Sequence, residues 1–263
     1  MKTTIQDVID QLTKPIVKID NTVDTLKFGC SSQVVTGIVV SFMPTYDAIK
    51  KAIELEANLL ITHEGIFYSH SDTNTIEKND VVNKKLELIK QSNITIFRFH
   101  DYWHRYEPDG VMKGLVQALQ WEQYVTRHDP IATILNVPTR TAEEIAHDVK
   151  GKLGISFIRF VGEKEMVCNK IAILVGYRGG GHLSIPLFEK ENVDLVIYGE
   201  GPEWETPEYV RDALSLGKKK ALMIIGHAES EEPGMSYLAE LVKEAYPNIR
   251  THFFSTSQLF EIV

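Results

Sequence analysis

Apolar residues along this chain fall either into short continuous runs or into helical periodicities. Leu59-Leu60-Ile61-Thr62 is one such run, and similar runs fill 94–99, 193–198 and 221–225. Their length and β-branched content are those of strands buried on both faces. Between them, Ala48, Ile49, Ala52, Ile53 and Leu55 repeat at helical spacing behind Thr45, a good N-cap. Thr141 with Glu144 three residues on is a capping box, and the helix it opens should stop at Gly151 or Gly154. Further helices are expected over 4–12, 80–91 and 110–120, after Gly181, from Thr206 to Gly217, and over 235–245. Further strands are expected over 34–42, 132–137, 155–161, 171–176, 250–254 and 258–263, and 69–79 reads as a polar loop. Strands alternating with helices specify an α/β protein with a largely parallel or mixed sheet.

The pattern occurs twice. Strand 37–41, a helix, strand 58–62 ending in His63-Glu64-Gly65, a helix, and strand 96–99 ending in His100 line up with a second series. That series is 170–175, a helix, 193–198 ending in Gly199-Glu200-Gly201, a helix, and 223–225 leading to His227. The expectation is two similar α/β lobes, 1–125 and 126–263, with the last residues able to return to the first lobe.

Composition narrows the function class. A net charge of -8 argues against a nucleic-acid or membrane-surface footprint, which needs a basic face. Cys30 and Cys168 stand far apart, so a thiolate zinc site and a disulfide framework are both disfavoured. The first residues carry two aspartates and no long apolar core, and no run approaches the roughly 18 apolar residues of a membrane span. A cytoplasmic protein acting on a small molecule is the expectation.

Nine histidines are present, and three differ from the rest. His63, His100 and His227 each lie just past an apolar strand, where open α/β sheets place ligands. Each also has a ligand-capable companion: Glu64, His104 and Glu231. On a helical turn, positions i and i+4 share a face, so His100 with His104 and His227 with Glu231 can each serve one centre. Four histidines and two carboxylates suit zinc, iron, manganese or nickel. Six ligands exceed the needs of one tetrahedral catalytic zinc and fit two divalent ions per chain. The plainer alternative is that these groups decorate loop starts. Asp101 and Glu200 are spare carboxylates that can act as general bases or orient a ligand. His63-Glu64-Gly65-Ile66-Phe67 starts like a zincin motif but lacks the second histidine. Gly176-Tyr177-Arg178-Gly179-Gly180-Gly181 can hold a phosphate on backbone amides or be a plain tight turn. Trp103, Tyr102, Trp204 and Tyr68 can wall a flat substrate or simply pack.

These residues resemble the Nif-three-like family, also known by the name GTP cyclohydrolase 1 type 2. Asp24 to Gly29 is similar to the family's Asp-Asn-x-Gly-Leu-x-x-Gly segment, and 58–65 is similar to its strand ending in a histidine pair. His100-x-x-x-His104 is similar to its His-x-x-x-Asp. Gly226-His227-Ala228-Glu229-Ser230-Glu231-Glu232-Pro233-Gly234 is similar to its Gly-His-x-x-Ser-Glu-x-Pro-Gly. The resemblance implies a Nif-three-like fold of two lobes with a metal cleft between them, two divalent ions and a homohexamer. Glu64 and His104 depart from the pattern by exchanging one histidine for one carboxylate, which preserves the total. The function expected is a metal-dependent hydrolase using a metal-bridging hydroxide, with a cyclohydrolase-type reaction on a nucleotide-like substrate as the form the resemblance suggests and zinc as the foremost metal. The alternative is a non-enzymatic metal-binding or regulatory hexameric scaffold.

Overall fold

The structure, a computed structural model, describes residues 2–71, 79–256 and 258–263. Most of the expected polar loop, 72–78, lies outside these residues. The chain divides into two compact units, Met1–Gly110 with Met235–Ser257, and Val111–Gly234 with Gln258–Val263.

The first unit is built on a five-stranded sheet. Its order is β1 (Leu26–Phe28), β4 (Thr95–Arg98), β3 (Leu59–Thr62), β2 (Ile38–Ser41) and β11 (Thr251–Phe254). β4, β3, β2 and β11 run parallel, and β1 is antiparallel to β4. Every residue of β2, β3 and β4 is buried, as their unbroken apolar runs require. Helix α1 (Ile5–Thr13) starts at a Thr4–Asp7 capping box. Thr45 caps α2 (Tyr46–Glu54), and Asn79, not Asp80, caps α3 (Asp80–Ser92). Val39, Ile49, Ala52, Leu60, Ile89 and Ile96 join sheet and helices in one core. The four-residue helix α4 (Asp101–His104) follows β4.

The second unit holds a six-stranded sheet. The order is β5 (Val125–His128), β6 (Thr133–Thr141), β8 (Val167–Ile173), β9 (Leu195–Tyr198), β10 (Ala221–Ile224) and β7 (Arg159–Val161). β8, β9 and β10 are parallel, and the outer pairs are antiparallel. Its helices are α5 (Gly110–Ala118), α6 (Ala142–Leu153), α7 (Gly181–Glu189), α8 (Thr206–Ser215) and the start of α9 (His227–Ala245). The repeat read from the sequence is present as topology. β1-β4-β3-β2 in one sheet corresponds to β7-β10-β9-β8 in the other, three parallel strands with an antiparallel strand on the last. Both sheets are mixed, so the α/β assignment with two similar lobes holds.

The elements depart from the sequence pattern in four places. The strand expected over 155–161 is formed only at its end, and 258–263 is not a strand. β1 and β5 carry too few apolar residues to announce themselves. Helix α9 begins at His227, eight residues ahead of the expected start. Pro233-Gly234 resembles a helix stop. Here it supplies bare backbone for a close crossing: a Cβ on Gly114 of α5 would lie 2.5 Å from the Gly234 Cα and from the Pro233 carbonyl oxygen. No described helix is long and apolar enough to cross a membrane.

Gly199, just past β9, is a second close approach. A Cβ there would strike Ser230 Oγ and come within 2.7 Å of the Gly176 carbonyl oxygen. Gly199→Ala should therefore destabilise the protein by about 1–3 kcal/mol. Gly151→Ala, where nothing lies within 4 Å, should stabilise helix α6 by roughly 0.5–1 kcal/mol. Urea unfolding midpoints of the two variants check both signs.

Candidate metal centre

In the first unit three histidines meet at the carboxyl ends of β3 and β4. His63 follows β3 directly and is fully buried. His100 precedes α4 and His104 closes it, so one helical turn brings the two rings together. Ring centroids are 4.4 Å apart for His63–His100, 5.0 Å for His63–His104 and 4.9 Å for His100–His104. One ligand atom from each lies within 4.8 Å of the others.

Each ring has its second nitrogen occupied. His63 Nδ1 is 3.2 Å from the Phe99 carbonyl, His100 Nδ1 is 2.9 Å from Asp101 Oδ1, and His104 Nδ1 is 2.9 Å from Asp109 Oδ2. A carbonyl or carboxylate oxygen only accepts, so each Nδ1 carries the proton and each neutral ring keeps its lone pair on Nε2. With a nitrogen of each ring within 4.8 Å of the others, the trio fits a divalent cation held by three imidazoles.

Asp24 sets the geometry of that helical turn. Its Oδ1 accepts from the His100 and Asp101 backbone N–H groups at 2.8 and 2.9 Å, and its Oδ2 from Tyr102 N–H at 2.9 Å. It caps α4 from 76 residues away. Asp101 stands behind His100, with Oδ2 accepting from Thr22 Oγ1 at 2.8 Å and Val23 N–H at 3.1 Å. The His100 hydrogen bond, aided by Thr22 and Val23, holds its carboxyl well below the usual carboxylate range.

Glu64 sits beside the histidines, its Oε1 4.0 Å from His100 Nε2. Its Oε2 accepts from Arg98 Nη2 at 2.9 Å. Arg98, the last residue of β4, is fully buried. Its Nε donates to the His63 carbonyl at 3.0 Å, Nη1 donates to the His70 carbonyl, and Nη2 also donates to His70 Nδ1 at 3.2 Å. Glu64, His70 and His100 form a second candidate ion group. Burial, followed by the nearby His100 and Arg98, lowers the His70 pKa.

In the second unit, His227 and Glu231 occupy the first turns of α9 behind β10. His227 Nε2 is 3.2 Å from Glu231 Oε2, and its Nδ1 is 2.9 Å from Glu200 Oε1. Glu231 is almost completely buried. The His227 hydrogen bond lowers the Glu200 pKa. Ser230 Oγ accepts from the Gly176 N–H at 2.9 Å and donates to the His227 carbonyl at 2.7 Å, tying the β8 loop to this turn. Glu200 and Asp101 thus stand in the same relation to their histidines.

The glycine-rich loop is a packing device. Gly179 N–H donates to the Glu200 carbonyl at 3.0 Å, and Glu205 already accepts from the Gly181 amide at the α7 N-terminus. Trp103 and Tyr102 are core residues, Trp103 stacking on Phe99 and Tyr237. Trp204 and Tyr68 are exposed. Arg98, His70, Asp24 and Asp109 are the site residues that sequence reasoning missed. Arg98 left a signal as a cation in an otherwise apolar run, and Asp24 as the first residue of the segment similar to the family's Asp-Asn-x-Gly-Leu-x-x-Gly.

The family model for Duf34/NIF3 (NGG1p interacting factor 3) matches residues 3–259. A protein of Clostridium perfringens named GTP cyclohydrolase 1 type 2 homolog is 27% identical over 227 residues, covering 83% of this chain and 82% of its own. A Chlamydia trachomatis protein of the same name is 23% identical over 246 residues, 91% of this chain and 92% of its own. The crystal structure of a Bacillus cereus protein related to NIF3 superposes with a TM-score of 0.78 at 14% identity, covering 100% of this chain and 99% of that one. At that identity the likeness speaks for the fold.

The loop after Glu64 is pinned by Lys85 of α3, whose buried ammonium donates to the Ile66 carbonyl at 2.6 Å and lies over the Tyr68 ring. Burial pushes Lys85 down from 10.5 to about 8. Between those values the unfolded chain binds the extra proton, so stability should rise as pH increases from about 8 towards 10. The gain from this group approaches about 3 kcal/mol. Urea unfolding at pH 7.5 and 10 should show it in the wild type and not in Lys85→Met.

Proposed function

The chain belongs to the Duf34/NIF3 family, and from that premise we propose that it is a divalent-metal-dependent hydrolase acting on a small molecule. One ion is assigned to His63, His100 and His104, and a second to the His227–Glu231 pair, giving two per chain. The observation that carries this reading is the set of three imidazoles, each with Nδ1 committed to an acceptor and one nitrogen of each within 4.8 Å of the others. Mixed nitrogen and carboxylate donors favour zinc, with iron, manganese and nickel as alternatives. His63, His100 and His104 would hold the ion, and the chemistry it would supply is Lewis-acid activation of water as a nucleophile at neutral pH.

The protein's own groups do the rest. Asp101 and Asp109 fix the tautomers of His100 and His104, and Glu200 does the same for His227. Asp101 and Glu200 were candidate general bases by sequence; their hydrogen bonds favour the orienting role. Glu64, with Oε2 given to Arg98, keeps Oε1 on the histidine side, where it is placed to accept a proton. The relatives' name makes hydrolytic opening of a purine nucleotide the first reaction to assay. A cytoplasmic homohexamer is carried over from the family resemblance.

Elemental analysis should find about two ions per chain. His100→Ala with His227→Ala should lose them and depress turnover by roughly 100-fold or more, with assembly unchanged by sedimentation. Wild-type protein without bound ions after metal-replete purification would end the hydrolase reading. Loss of ions accompanied by loss of assembly, with no turnover in the wild type, would favour a metal-stabilised scaffold.

A further inference from the structure

Two candidate ion groups share His100 in the first unit: His63–His100–His104 and Glu64–His70–His100. They differ in what already faces their lone pairs. In the three-histidine group the Nδ1 partners are all hydrogen-bond acceptors, which place the ring proton on Nδ1 in each neutral imidazole. In the other group a guanidinium is already in place. Arg98 Nη2 lies 2.9 Å from Glu64 Oε2 and 3.2 Å from His70 Nδ1, so it takes one oxygen of the first ligand and the lone pair of the second. A guanidinium only donates, so His70 Nδ1 must accept, and the proton of the neutral ring sits on Nε2. His70 then has no nitrogen to give a metal while that hydrogen bond stands.

We propose that Arg98 is the built-in cation of the Glu64–His70–His100 group, so that the first unit binds one divalent ion, at its three histidines, and excludes a second. This rests on the metal-binding reading above. Arg98 is held where it stands by two further bonds to main-chain carbonyls, of His63 and His70. Its side chain is fully buried and Glu64 is only 14% exposed. A divalent ion approaching those ligands would meet a fixed positive charge that water does not screen. The same bond gives Arg98 a positioning role. It fixes Oε2 of Glu64 and leaves Oε1 as the oxygen nearest His100. A lysine in its place would supply the charge without the planar fork that reaches His63, Glu64 and His70 together.

The test is titration of the metal-free full chain with cobalt(II), following ions bound per chain and the visible ligand-field spectrum. The variants are His70→Ala, Arg98→Met and the combination of the two. His70 is 59% exposed in its side chain, so its truncation leaves the core intact. His70→Ala should bind as many ions as the wild type, with the same spectrum and an affinity changed by less than about tenfold, the lower bound for losing a ligand's support. Arg98→Met should gain an ion that the double variant lacks. Loss of an ion or of tenfold or more in affinity in His70→Ala overturns the inference, and so does a folded Arg98→Met that binds no extra ion. If Arg98→Met does not fold, His70→Ala decides alone. A wild type that binds no cobalt would remove both the metal reading and this inference, whereas ion loss confined to His70→Ala removes only this inference.

Discussion

A neutral imidazole offers one lone pair and one N–H, and the partner behind the ring decides which nitrogen has which. The metal chemistry proposed for this protein depends on that constraint. Phe99, Asp101, Asp109 and Glu200 each supply an acceptor behind a histidine. Asp101 adjoins its own histidine, Phe99 and Glu200 follow the strand next to their histidine's, and Asp109 comes from the loop after α4. The fold's contribution is therefore the placement of acceptors as much as of ligands. Asp24 belongs to the same layer, since its three backbone hydrogen bonds fix the turn on which two of the rings stand.

Much of this was legible in the sequence because it is local. An apolar run ending in histidine specifies a strand and a ligand at its carboxyl end, and His100-x-x-x-His104 needs only a helical turn to converge. Among the described residues the strands form as read and the two rings meet on that turn. What was illegible is long-range. Asp24 meets His100 across 76 residues, and His70 lies in a polar loop with no periodicity to place it. Asp101 was visible as a spare carboxylate, but the bonds that Thr22 and Val23 donate to it, which support the proposed orienting role, were not. Pro233-Gly234 misled for a related reason. Local rules read a helix stop, and the reason for the residues is the backbone of α5 packed against them.

The two units share a topology and diverge in side chains. The first gathers three histidines, sets Asp101 and Asp109 behind two of them, and pairs Glu64 with a buried guanidinium. The second places one histidine between two carboxylates, Glu200 and Glu231. A repeated framework thus carries three histidines and a buried cation in one unit and a single histidine flanked by carboxylates in the other, and the residues responsible occupy corresponding strand ends.

Strand β11 has a consequence for how the protein is made. His252 pairs with Val39, so the edge of β2 is covered by a segment synthesised more than 200 residues later. At translation speeds of roughly 5–20 residues per second, that interval is about 10–40 s. Throughout it, the nascent first unit has its buried strands β2, β3 and β4 in hand but presents the β2 backbone as an open edge. The ribosome delivers the histidines after β3 and β4 early and the strand that seals their sheet late. Completion of the first unit thereby waits for 251–254 to emerge, and residues 111–234 of the second unit have the chance to fold in the meantime.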